Sequence, residues 1–75
     1  MIKEGQIYKE KQMPYWRAHG ADIFVVSHTY YNISIIYKDV KTDVVGWEWI
    51  RDDCELVAEY PTWNEAVNSK EFKGE

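Results

Sequence analysis

The residues of this chain whose types could do covalent or metal chemistry are His19, His28, Cys54 and the adjacent pair Asp52 and Asp53. A cysteine or serine nucleophile needs a histidine base beside it and a third polar group to orient that base. No glycine-flanked serine is present, and 75 residues leave little room for a deep pocket. No catalytic residue is assigned, the chain reads as a non-enzyme, and Cys54 reads as a small, half-buried hydrophobe. Zinc wants Cys and His in paired short spacings, whereas His19, His28 and Cys54 are nine and twenty-six residues apart. Asp52 and Asp53 alone supply too few oxygens for calcium, and a solvated turn is the simpler reading of that pair. The glycines at 5, 20, 46 and 74 are isolated, so no phosphate-binding loop is built from them. Neither a metal nor a cofactor is expected.

The aromatic residues say more. The chain has four Trp, six Tyr and two Phe. Phe24, Tyr37, Trp47 or Trp49, and Trp63 fall in segments that read as strand or helix, where a core role is the natural one. Tyr15, Trp16, Tyr30 and Tyr31 fall in segments that read as loop or turn, where burial is harder to arrange. With Arg17 and Trp49 they make a candidate protein-binding face, because Trp, Tyr and Arg are the residue types enriched at interface hot spots. The competing reading is that these loops simply pack onto the sheet. A second hypothesis has the same aromatics stacking bases of a single strand while Lys9, Lys11, Arg17 and Lys38 follow its phosphates. A third has an acidic face, Asp52, Asp53, Glu55 and Glu59, with Glu65, Glu71 and Glu75 beyond it, imitating phosphates; a solvated charged surface is the plainer alternative.

These residues must be positioned by short elements. Gln6 to Glu10 reads as a strand after a turn at Gly5, and Lys11 to Ala21, with Pro14 and Gly20 and no regular period, as a structured loop. Asp22 to Thr29 and Ile33 to Lys38 are rich in β-branched and aromatic residues and form a hairpin about Tyr30-Tyr31-Asn32. Asp39 to Thr42 offers another turn, and Asp43 to Ile50 a further strand with Trp47 and Trp49 on one face and Gly46 marking a bulge or close approach. Arg51 to Cys54 suits a tight turn or 3₁₀ step, and Glu55 to Tyr60 a last strand. Thr62-Trp63-Asn64-Glu65 is a capping-box pattern opening a helix over about 62–70, with Trp63, Ala66 and Val67 on one side and Phe72 closing the contact. The tail from Lys73 to Glu75 is expected to fray.

Five strands so connected predict an all-β domain: a small Src-homology-3-like barrel over about residues 5–60, or an open meander, with a short C-terminal helix. The barrel is preferred because closure protects strand edges. Seventy-five residues make one domain, and an exposed edge would let two copies pair. No apolar run has the length of a membrane span or signal peptide, and one cysteine excludes an intrachain disulfide, so a cytoplasmic setting is expected. The formal charge of −4 is uneven, at +2 over residues 1–20, −1 over 21–47 and −5 over 48–75. That balance weighs against a general nucleic-acid binder.

The opening Lys3-Glu4-Gly5-Gln6-Ile7-Tyr8 and the closing stretch Glu59-Tyr60-Pro61-Thr62-Trp63-Asn64-Glu65-Ala66-Val67-Asn68-Ser69-Lys70-Glu71-Phe72 resemble small proteins of bacterial viruses and prophages. The resemblance covers the two ends of the chain and carries over no functional residue. What it implies is a small protein that binds and redirects a host protein, as a modulator or inhibitor.

Overall fold

The computed structural model describes residues 1–11, 23–37 and 42–74. Its elements are β1 (Gln6–Glu10), β2 (Ile23–His28), β3 (Ile33–Tyr37), β4 (Thr42–Val45), α1 (Trp47–Asp53), β5 (Cys54–Glu59), α2 (Trp63–Val67) and α3 (Lys70–Lys73). All five strands join one antiparallel sheet in the order β4-β3-β2-β1-β5. The sheet is open: β1 to β4 follow one another as a meander, β5 crosses back to pair with β1, and among the described residues β4 and β5 are edges that do not pair with each other. The reason is local, since the chain leaves β4 after four residues and enters a helix rather than turning back along the sheet.

That helix corrects the expected strand from Asp43 to Ile50 and the tight turn from Arg51 to Cys54. Gly46, in extended backbone, is the N-cap of α1 rather than a strand bulge, and Glu48 in the first turn with Arg51 in the last suits the helix dipole. Trp47 and Trp49 therefore do not share a face. The ladder irregularities lie elsewhere, opposite Val57 in β5 and at Ser27 in β2.

The sheet is buried on both sides over β1 and β2, which is why Ile23 to Val26 reads as a continuous apolar run rather than an alternating one. Tyr8, Phe24, Val26, Ile35 and Val45 point to one side, where Ile50 of α1 and Cys54 complete the cluster. Ile7 and Val25 point to the other, against Ala66 of α2 and Phe72 of α3. Each such fully buried side chain contributes about 1.5–3 kcal/mol. The register fixes the sides, pairing Tyr8 with Phe24 and Ile7 with Val25.

A single helix over 62–70 is corrected to two. The Thr62 hydroxyl accepts from the Glu65 amide at 3.2 Å, as the capping box predicts, and the Glu4 carboxylate takes the Trp63 amide at 3.0 Å. Ser69 then divides the segment: its buried hydroxyl donates to the Ala66 carbonyl at 2.6 Å and accepts from the Phe72 amide at 3.3 Å, ending α2 and capping α3. Of the tail expected to fray, Lys73 closes α3 and Gly74, at φ 78°, caps it by donating to the Lys70 carbonyl, while Glu75 lies outside the described residues.

At the N-terminal turn, Gly5 sits at φ 88°, donates to the Val26 carbonyl at 2.9 Å and accepts from the Tyr60 amide at 3.0 Å. Beside it the buried Gln6 amide is satisfied from several directions. Its Oε1 accepts from the Lys3 amide at 2.8 Å and the Tyr8 hydroxyl at 2.9 Å, and its Nε2 donates to Glu59 at 2.7 Å. This polar cluster fastens the chain's start to both β1 and β5.

Candidate protein-binding face

Tyr30 and Tyr31 occupy the tip of the β2–β3 hairpin with 82% and 89% of their surface exposed, ring centroids 4.7 Å apart in an edge-to-face arrangement at 81°. Tyr31 borders a groove of about 730 Å³ whose other walls include Ile33, Trp47, Ile50, Arg51 and Ile2. The groove is mixed in character, with Ile33, Trp47 and Ile50 supplying apolar wall and Thr29 and Asn32 polar wall, and among its described lining residues Arg51 is the one charged side chain. The Arg51 guanidinium lies 4.6 Å from the centre of the half-exposed Trp47 ring, one helical turn away. Asp52 holds its fork from the side, accepting from Nε at 2.7 Å and from a terminal nitrogen at 2.9 Å. That pairing raises the Arg51 pKa and lowers that of Asp52, so both stay charged at neutral pH.

Of the residues that sequence reasoning assigned to a binding face, Tyr30 and Tyr31 are brought together beside this groove. Trp49 is not: two positions along α1 from Trp47, its ring turns inward and stacks on Phe24 with centroids 5.3 Å apart. Tyr15, Trp16 and Arg17 lie outside the described residues. Trp47 and Arg51 were missed as a surface pair, although their i, i+4 spacing would bring them together on a helix.

No protein-family model, characterised protein or solved structure matches this chain.

The acidic residues do not gather into one face. Asp52 is tied to Arg51, and Glu55 lies 3.6 Å from the Lys9 ammonium. Glu55 pairs in register with Lys9 and Glu59 with Gln6, on opposite sides of β5. Cys54 is buried at the start of β5, and burial, followed by the charges of Glu10 and Asp53, pushes its thiol up to about 12. At neutral pH it is a protonated thiol within an apolar cluster, so as a nucleophile it is silent. Among the described residues no group of three or more His, Cys, Asp or Glu is placed to hold a metal ion, and no helix is long and apolar enough to cross a membrane.

Proposed function

We propose that this chain is a small, non-enzymatic protein-binding module whose contact face is the Tyr30–Tyr31 tip and the adjoining groove under Trp47 and Arg51. One observation carries the reading: two neighbouring tyrosines, more than four-fifths exposed, stand beside a partly apolar groove walled by a Trp–Arg pair. Tyrosine supplies large contact area at low entropic cost, and Tyr, Trp and Arg are the types that dominate binding energy in protein interfaces. The resemblance of the two chain ends to viral and prophage proteins supports a host protein as the partner, met in the cytoplasm, with the module acting as a modulator.

The single-strand reading draws less support. The two tyrosines meet edge to face rather than as parallel platforms, Lys9 faces Glu55, and Arg51 is held by Asp52. The test is capture of partners from bacterial lysate by the tagged chain, with and without nuclease, beside a Tyr30→Ala/Tyr31→Ala variant. A defined protein that survives nuclease and is lost by the variant, at unchanged thermal stability, is the expected result. Recovery of nucleic acid alone, or a protein retained in full by the variant, would refute the assignment.

A further inference from the structure

A second surface, separate from the hairpin tip, is the open edge of β5. This strand is six residues long, pairs with β1 on one side, and has no described strand on the other. Edge strands leave alternate backbone N–H and C=O groups pointing outward, and proteins usually blunt them with proline, charged side chains, bulges or very short length. Strand β5 carries one bulge, at Val57, and two glutamates. Cys54–Glu59 contains neither proline nor lysine, and it exposes Leu56 at 48% and Val57 at 42%. Val57 is the residue skipped in the β1 ladder, so it is left over from that pairing.

The charge around this edge selects what can pair with it. Residues 48–59 hold five acidic residues and one basic one, Arg51, which Asp52 neutralises. Glu55 has the Lys9 ammonium 3.6 Å away and Glu59 accepts from the Gln6 side-chain amide at 2.7 Å, so each keeps one carboxylate oxygen for an added cation. Glu55 and Glu59 flank Leu56 and Val57 on opposite sides of the strand, both exposed. A smaller cleft of about 360 Å³ opens at the strand's C-terminal end, with Glu4 and Glu59 outnumbering Lys3 among its walls. A second copy would bring the same negative charge to the edge. An extended segment with apolar centre and basic residues on both faces would meet carboxylates on both sides.

We infer that the β5 edge accepts a basic, extended segment of a partner protein as a sixth strand, its central apolar residues beside Leu56 and Val57 and its cationic residues at Glu55 and Glu59. Main-chain hydrogen bonds hold the added strand, and the carboxylates select it. This surface is distinct from the Tyr30–Tyr31 face, and the two can be tested apart.

The probe is a capped hexapeptide with threonine at each end and Lys-Val-Val-Lys between, so that its lysines fall on opposite strand faces. It is titrated into the isotopically labelled full chain, and backbone amide shifts and hydrogen exchange are followed by NMR. The expected result is saturable shifts and slowed exchange at Cys54–Glu59, weakened by salt, with Tyr30 and Tyr31 unmoved. The same peptide with glutamate for lysine should leave β5 unchanged, and the Glu55→Gln/Glu59→Gln variant should bind the lysine peptide about fivefold more weakly. Should that variant lose its fold, the salt dependence and the glutamate peptide still decide. Equal response to both peptides, shifts at β4 or the hairpin tip instead, or no shift at β5 would overturn the proposal. So would β5 shifts that track protein concentration without peptide, which would assign the edge to a second copy.

Discussion

Gly5 shows how a single residue type is forced by its surroundings. Its φ of 88° is open to glycine at little cost, and a β-carbon there would stand 2.1 Å from the Tyr60 carbonyl oxygen, a backbone atom that cannot swing away. Gly5→Ala should therefore cost about 3 kcal/mol or more, combining backbone strain with a lost link between β1 and the end of β5. Urea unfolding measures this, and a loss below about 0.5 kcal/mol would mean the Gly5–Tyr60 contact does not form in solution. Cys54 makes the opposite kind of case, a reactive type made inert. With its thiol near 12, about one part in ten thousand is thiolate at pH 8, and the side chain is buried besides. A disulfide reagent at pH 8 should modify the folded chain orders of magnitude more slowly than the chain in urea; equal rates would show that Cys54 is exposed.

At the scale of elements, the strands of the hairpin were legible because β-branched residues crowd Ile23–Val26 and Ile33–Ile36 between turn residues. Helix α1 was not. Val44 and Val45 lead directly into Trp47 and Trp49, and the run of β-formers mimics one long alternating strand, while the helical signs are only a glycine, a first-turn Glu48 and the Trp47–Arg51 spacing. What decides for the helix is packing, because only a helical turn sends Ile50 and Trp49 together onto Phe24. The break between α2 and α3 was hidden for a related reason, since it rests on the buried hydroxyl of Ser69. Helix α3 is joined to the end of β5 by the Tyr60 hydroxyl donating to the Glu71 carboxylate. That bond holds Glu71 below its ordinary value, so its stabilisation is present above the unfolded-state carboxyl pKa and is lost as pH falls through the lower folded value. Tyr60 is shifted upward by the same bond, which places the alkaline loss above the ordinary tyrosine range. Tyr60→Phe should flatten the acid limb of stability, from the ordinary carboxyl range downward, relative to the parent chain. Melting midpoints across that range read it, and parallel curves would show that another carboxylate governs the limb.

Across the whole molecule, the sheet is a partition with a core on each side, and β1 and β2 belong to both. Phe24 and Val25 are neighbours in sequence yet serve opposite cores, so neither layer can loosen without exposing the back of the other. The apolar run in β2 is the trace this two-sided burial leaves in the sequence, where it reads only as a strand, and the closed barrel favoured on edge-protection grounds was not realised in the sheet, because α1 takes the chain away from β4. A domain of this size has little stability in reserve, so damage to one layer should be felt through both. Phe72→Ala removes a 6%-exposed ring from the α2–α3 side and should cost about 3 kcal/mol. The indole N–H signals of Trp49, on the α1 side, and Trp63, on α2, report the layers separately. Both should lose intensity at one shared urea midpoint in the parent chain and at one lowered midpoint in Phe72→Ala, as a single cooperative transition requires. If Trp63 melted well before Trp49, the two helices would be a detachable cover rather than half of the core, and the groove under Trp47 and Arg51 would have to be held by the α1 layer alone.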